Sequence, residues 1–388
     1  MSKEGTEPAG STAPTSGELL GIPMQSSSLD VYSGVARASG KIWATRHRSK
    51  LGASDTVAIF VHPTSNFLGH YMLGALASNG IDAVGLCTRY VGNDSMLLME
   101  NCVLDVGSAI DYLRRDGAKR IILIGNSGGG GLAALYQSQA ESPTISHTPA
   151  GDPPDLTKAN LPPADAVVFL MAHPGRSIVF TEWIDPAIAD ESRPFDRTAE
   201  LDMFNEKNGP PFPVEFIEKY RAAQIVRNRR ITSWVRERLA QLEQGSGLRD
   251  LPFTVHGTVS DPRMIDLTID PSDRAATTPW GAPSIATYSP VSLGHQASLR
   301  SWLSQWSFDE SNGDGRVHAA RVGVPVLVMY GSADELCFPS QAQSLFDAVP
   351  HQRKSIRRID GATHYFDGRP DLIESSAAEI AEWARQEA

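Results

Sequence analysis

Three residues in this chain have the types and surroundings that nucleophilic chemistry needs: Ser127, Asp334 and His364. Ser127 stands in Gly125-Asn126-Ser127-Gly128-Gly129, directly after the apolar run 120–124 and before the helix-forming run 132–136. A serine hydroxyl is a weak nucleophile at neutral pH unless an imidazole takes its proton, and the imidazole needs a carboxylate to orient it. Asp334 follows the apolar run 325–330, and His364 follows the run 355–359. If those runs are parallel strands, all three side chains lie at strand carboxyl ends, where open α/β sheets keep their sites. Singly, each has a mundane reading: Gly-x-Ser-x-Gly recurs by chance, an Asp after Gly-x-x is a turn former, and a loop His is solvated. Their order and matching placement carry the functional reading.

The turn at Ser127 has a competing interpretation. Gly128-x-Gly130-x-x-Ala133 fits a dinucleotide fingerprint, which also follows a strand. That fingerprint opens the first βαβ unit and is followed, ~20 residues on, by an acidic ribose anchor. Here at least two strand-like runs come first, and the polar, proline-rich stretch 141–165 comes after. Strand, tight turn and helix instead suit a nucleophile elbow, in which the residues two before and two after the serine must be small. Gly125 and Gly129 meet that demand.

The elements that must position these residues follow from hydropathy. Runs 29–36 and 41–47 read as an antiparallel hairpin, and runs 56–61, 82–87, 120–124, 166–171, 325–330 and 355–359 read as buried strands. Helices are expected over 69–78, 95–115, 340–348 and 371–387, the second with Leu98, Cys102, Val106, Ile110 and Leu113 on one face. Alternating strands and helices imply an α/β fold with a mostly parallel central sheet flanked by helices. From residue 176 to 322 the rhythm stops. Two helices, 213–226 and 228–242, and scattered tryptophans (Trp183, Trp234, Trp280, Trp302, Trp306) replace it. The expected organisation is therefore a disordered tail over 1–20, core over 21–175, a mainly helical cap or lid over 176–322, and core over 323–388.

Composition narrows the function classes. The chain has 388 residues, 41% hydrophobic and 21% charged, enough for one large or two modest domains. A net charge of −10 argues against nucleic acid or an anionic membrane surface as partner. Three cysteines without a Cys-x-x-Cys, and ten histidines without a His-x-x-x-His pair, give neither a disulfide framework nor a metal site. The polar N-terminal stretch has neither the pattern of a signal peptide nor that of a membrane anchor, so a cytoplasmic protein is expected. The chemistry above needs no metal and no cofactor, only a small-molecule substrate. A homo-oligomer stays open.

Taken together, the elbow, the order Ser127, Asp334, His364 and the interrupted α/β pattern resemble the α/β-hydrolase superfamily over about 29–175 and 322–388. The resemblance implies Ser127 as nucleophile, His364 as general base and Asp334 as the group orienting the imidazole. It also implies an oxyanion hole from the Gly128 N–H and a second N–H in the loop after run 56–61. Many members carry His-Gly there, whereas this chain has His62-Pro63. Proline has no N–H to give, so the second donor is expected from Thr64, with Ser65 next in line. His62, Asn126, His173 and Ser65 are the candidates to line the pocket.

The resulting expectation is a serine-dependent hydrolase, cleaving a carboxylic ester of a fairly large or hydrophobic substrate through an acyl-enzyme. Gly-Asn-Ser-x-Gly-Gly also resembles the elbow of carbon–carbon bond hydrolases acting on diketones, from which this chain departs at Ser127-Gly128, at His62-Pro63 and in cap length. Lactone, thioester and amide cleavage, and a receptor that binds without turnover, complete the alternatives. The arginines Arg227, Arg229, Arg230, Arg236 and Arg238 read as a solvated helix face rather than an anion site. Cys337 reads as a packing residue.

Overall fold

A computed structural model describes residues 17–25, 40–244, 249–290 and 292–387. The strands are β1 (Glu18–Pro23), β2 (Lys41–His47), β3 (Thr56–Val61), β4 (Asp82–Cys87), β5 (Arg120–Ser127), β6 (Ala166–Ala172), β7 (Pro252–Thr254), β8 (Gln296–Ser298), β9 (Val326–Gly331) and β10 (Lys354–Ile359). Eight of them form one sheet in the order β1-β2-β4-β3-β5-β6-β9-β10. β1 and β2 pair antiparallel with each other, as do β2 and β4, and the other pairings are parallel.

Period-two alternation decides which side chain goes to which face. In β3, Val57, Ile59 and Val61 join one core, and Ala58 and Phe60 the other. In β5, Ile121 and Leu123 are divided from Ile122 and Ile124 in the same way. Each large aliphatic side chain so buried contributes about 1.5–3 kcal/mol, and burial on both sides requires helices on both sides. The first face is covered by α2 (Met99–Arg115) and α3 (Gly129–Glu141), through Cys102, Val106, Ile110, Leu132, Leu135 and Tyr136. The second is covered by α1 (Leu73–Ser78) and by the C-terminal helix Pro370–Glu387, through Leu73, Leu76, Ala377, Ile380 and Ala381.

Between β6 and β9 the chain leaves the sheet. It forms α4 (Arg176–Trp183), the long α5 (Val214–Glu243) and the small β7–β8 ribbon. Phe180, Ile231, Val235, Leu239, Trp302 and Trp306 form a separate core here. Helix α6 (Pro339–Ala348) and α7 (Pro370–Glu387) follow β9 and β10.

Four expectations are corrected. Residues 18–20, read as tail, belong to β1, because Leu20 and Ile22 bury against the sheet. β2 is therefore flanked by β1 and β4, and the run 29–36 lies outside the described residues. The expected helices 69–78 and 95–115 begin later, at Leu73 and Met99. The two helices expected over 213–242 are one helix, α5, since no Gly or Pro stands between them to break it. At the supposed boundary Arg227 is buried, paired with Glu191 and bonded to the carbonyls of Asp185 and His256. Its neighbours on the helix do face outward in ion pairs: Arg229 with Asp309, Arg230 with Glu191, Arg236 with Glu310.

Among the described residues no helix is long and apolar enough to cross a membrane.

Candidate active site

Strand β5 delivers Ser127 at its last position, with a backbone φ of 55°. Left-handed backbone at a non-glycine residue is strained and is tolerated where the surroundings over-determine it. Two glycines do so here. A Cβ at Gly125 would come within 2.3 Å of the Gly129 carbonyl oxygen, and one at Gly129 within 1.9 Å of the Val61 oxygen. Strand, turn and helix can close this tightly only with hydrogen at both positions, which leaves the serine side chain raised at the top of the sheet.

Asp334 and His364 are brought together by two loops pressed against each other. A Cβ at Gly331 would lie 2.3 Å from the Ala362 oxygen. Backbone bonds from Ser332 N–H to Ile359 O and from Ala333 N–H to Ala362 O, both 3.0 Å, tie the loops. The Asp334 carboxylate is fully buried. Its Oδ1 accepts the Leu336 and Cys337 N–H groups at 2.8 Å each, and His364 Nδ1 lies 3.1 Å from Oδ1 and 3.0 Å from Oδ2. With Nδ1–H donating to the carboxylate, Nε2 is the free basic nitrogen. Burial alone would pull His364 down, but the Asp334 charge and hydrogen bond outweigh it and hold the imidazole above its ordinary value.

Ser127 and His364 line one cavity of about 160 Å³, and with the exception of Asp334, buried behind His364, the other candidates from the sequence line it too: His62, Thr64, Ser65, Asn126, Gly128 and His173. Asn126 is already engaged, receiving the His70 Nε2–H on Oδ1 at 3.2 Å and donating to Leu170 O at 2.9 Å, so it pins strand ends.

The expected second oxyanion donor is not free. Thr64 N–H and Ser65 N–H both donate to His62 Nδ1, at 3.1 and 2.9 Å. Pro63 contributes no N–H and turns the chain, so the two amides after it fold back onto the imidazole. With Nδ1 accepting, the His62 proton sits on Nε2. That nitrogen lies 2.9 Å from the point a Cβ on Gly128 would occupy. His173 is arranged in the same way: Nδ1 accepts the Gly175 N–H at 3.2 Å, and Nε2 lies 3.5 Å from the same point. Burial, reinforced by the nearby Arg176 cation, pushes His62 well below the usual imidazole range and His173 down to about 3. Both rings are therefore neutral donors at pH 7.

The profile of a family described as "Serine aminopeptidase, S33" matches residues 314–367, the stretch holding Asp334 and His364. No curated protein matches the chain. Among solved structures, hypothetical protein PA2218 from Pseudomonas aeruginosa is similar over 100% of both chains, at 13% identity and a TM-score of 0.51. The esterase domain of a Rhodothermus marinus protein is similar over 96% of this chain and 99% of its own, at 12% identity and a TM-score of 0.49. A Paleococcus ferrophilus monoacylglycerol lipase is similar over 89% and 99%, at 14% identity and 0.44. This chain has the α/β-hydrolase fold.

The rest of the cavity was not legible beforehand. Arg176, Val179 and Trp183 come from α4, Trp280 and Leu293 from later in the inserted segment, and Leu336 and Tyr365 from the loops that carry the acid and the histidine. Spacing could have flagged only Leu336 and Tyr365, which neighbour Asp334 and His364. Cys337 is buried, as expected of a packing residue, among Val179, Trp183, Leu336 and Phe338. Asp334, Cys337 and His364 offer ligand atoms within 4.8 Å of one another, but the carboxylate is already shared between His364 and two backbone amides. A larger hollow of about 480 Å³ lies against α5 around Ile231, Trp234 and Phe253, and none of the candidate residues lines it.

Proposed function

We propose that this α/β-hydrolase cleaves a carboxylic ester through an acyl-enzyme on Ser127. One observation carries the reading: a strained, left-handed serine shares a cavity with a buried imidazole whose other nitrogen is held by a buried carboxylate. His364 Nε2 takes the Ser127 proton as Oγ attacks the carbonyl carbon. The tetrahedral intermediate collapses, the alcohol leaves with that proton, and water activated by His364 releases the acid. Asp334 orients the ring and stabilises the imidazolium.

For the oxyanion, Gly128 N–H is one donor. In place of Thr64, the second is His62 Nε2–H, with His173 Nε2–H beside it. A preorganised donor of this kind is worth about 3–4 kcal/mol in the transition state. The cavity is smaller than the ~300 Å³ at which small-molecule sites commonly begin, so a compact acyl group fits it best. The remainder of a larger substrate would leave past Trp280 and Tyr365, which are 38% and 50% exposed. The inserted segment supplies the apolar roof, in the manner of a cap.

An amide is the second reading, because the matched stretch 314–367 bears the name of a family of serine aminopeptidases. Intact mass after fluorophosphonate treatment, with peptide mapping, tests the nucleophile. One adduct on Ser127, absent in Ser127→Ala, is the expected result; an unlabelled, folded protein would remove the serine mechanism. A panel of matched esters and amides then separates the two bonds.

A further inference from the structure

Among the described residues, the buried arginines Arg89, Arg227 and Arg263 are well supplied with acceptors. Arg89 makes bonds of 2.7 and 3.0 Å to Asp105 and one of 3.0 Å to the Gln25 carbonyl. Arg227 holds Glu191 through two bonds, 2.9 and 2.7 Å, and two carbonyls besides. Arg263 binds Asp261 and Glu182. Arg176 is not. It is 3% exposed, and its one ion pair is a single 3.3 Å contact with Asp94, itself part-exposed. Its Nε is buried with no partner.

The surroundings repeat the pattern. Trp306 lies against the guanidinium, 4.2 Å from its ring centroid, and Trp306 Nε1, Ser177 Oγ and Trp183 Nε1 are likewise buried without partners. Buried polar groups in folded proteins are nearly all paired, and a buried cation with one long contact is costly. Arg176 is also a wall of the catalytic cavity, together with Ser127, His62 and His173. The other cavity histidines add no negative charge: two are neutral, and His364 already answers Asp334. The positive end of this cavity is therefore under-compensated in the free protein.

We propose that Arg176 recognises a carboxylate on the substrate, so that the ester cleaved is a half-ester of a short dicarboxylic acid. This rests on the Ser127 hydrolase reading and names its substrate class. A guanidinium fork matches a planar carboxylate. The cavity's volume places that carboxylate within a few bonds of the scissile carbonyl. A single negative charge suffices, because Asp94 already offsets part of the cation. Arg176 takes no part in bond making: the ester's acyl–oxygen bond breaks, the alcohol leaves protonated, and water completes the dicarboxylate.

Hydrolysis of monoethyl glutarate and of ethyl valerate, followed by titration of released acid, tests this. Wild type should favour monoethyl glutarate by about tenfold or more in kcat/KM, chiefly through KM. Arg176→Met should collapse that ratio and Arg176→Lys should restore part of it. A wild type that favours ethyl valerate, or a preference that survives in Arg176→Met, overturns the proposal. If Arg176→Met does not fold, glutarate and valerate are compared as protectants of wild-type Ser127 against the fluorophosphonate. Stronger protection by glutarate supports the carboxylate site, and equal protection overturns it. Fluorophosphonate labelling separates the two levels: Ser127 labelled without a glutarate preference sinks only the Arg176 proposal, whereas no labelling removes the hydrolase reading and this one with it.

Discussion

The imidazole of His62 is turned over Gly128, its Nε2 2.9 Å from where a Cβ on that residue would stand. Two backbone amides fix the ring from the other side. Gly128→Ala should therefore displace His62, the far end of a side chain held by those two bonds, and lower kcat about 10²–10³-fold. Steady-state kinetics with a near-ultraviolet check on folding would show it; a variant within a factor of three of wild type would contradict this crowding.

His62→Phe keeps the ring volume and removes the donor. Its expected loss is again about 10²–10³ in kcat with KM little changed, the signature of an interaction made in the transition state. A change confined to KM would mean that His62 shapes the pocket without holding the oxyanion.

Ser127 is held at φ 55°, a conformation glycine adopts without penalty. Ser127→Gly should abolish turnover and raise thermal stability by about 1–3 kcal/mol, the strain such residues store. Calorimetric unfolding reads this directly, and a lowered Tm would show that the turn is not strained.

His364 must be neutral to accept the serine proton, so kcat/KM should rise with pH. The midpoint should lie above the ordinary imidazole value of 6.5, because Asp334 raises it. Asp334→Asn removes that charge, so the midpoint should fall while the rate drops by about 10⁴. The sign for folding is the reverse of that for activity. A histidine raised in the folded state adds stability below pH 6.5 and loses it as pH climbs through the folded value. A pH–rate profile of both proteins, with unfolding measured across the same range, checks each part.

What the residues disclosed and what they hid divides along physical lines. The central strands were legible because β-branched runs such as 56–61 and 166–171 have no other way to bury every side chain. The elbow was legible because two glycines bracket a serine at a strand end. The run of α5 was misjudged at Arg227, where burial of a charge through distant partners, Glu191 and His256, overrode a local impression of a boundary. The Thr64 and Ser65 amides turn onto His62 Nδ1 for a related reason. Pro63 announces a missing donor, but the direction in which the next two amides point is a matter of backbone geometry. Nothing in the sequence singles out Arg176, since its shortage of partners exists only once the chain is folded.

The inserted segment departs after β6 and returns at β9, and these two strands are neighbours in the sheet. Excursion and return therefore share one seam, between the strand beside Ser127 and the strand that leads to Asp334. Arg176 is the first residue of the first helix beyond that seam. On the proposed reading, the groups that would make and break bonds stand on the sheet side of that seam, and the guanidinium that would choose the substrate stands just beyond it.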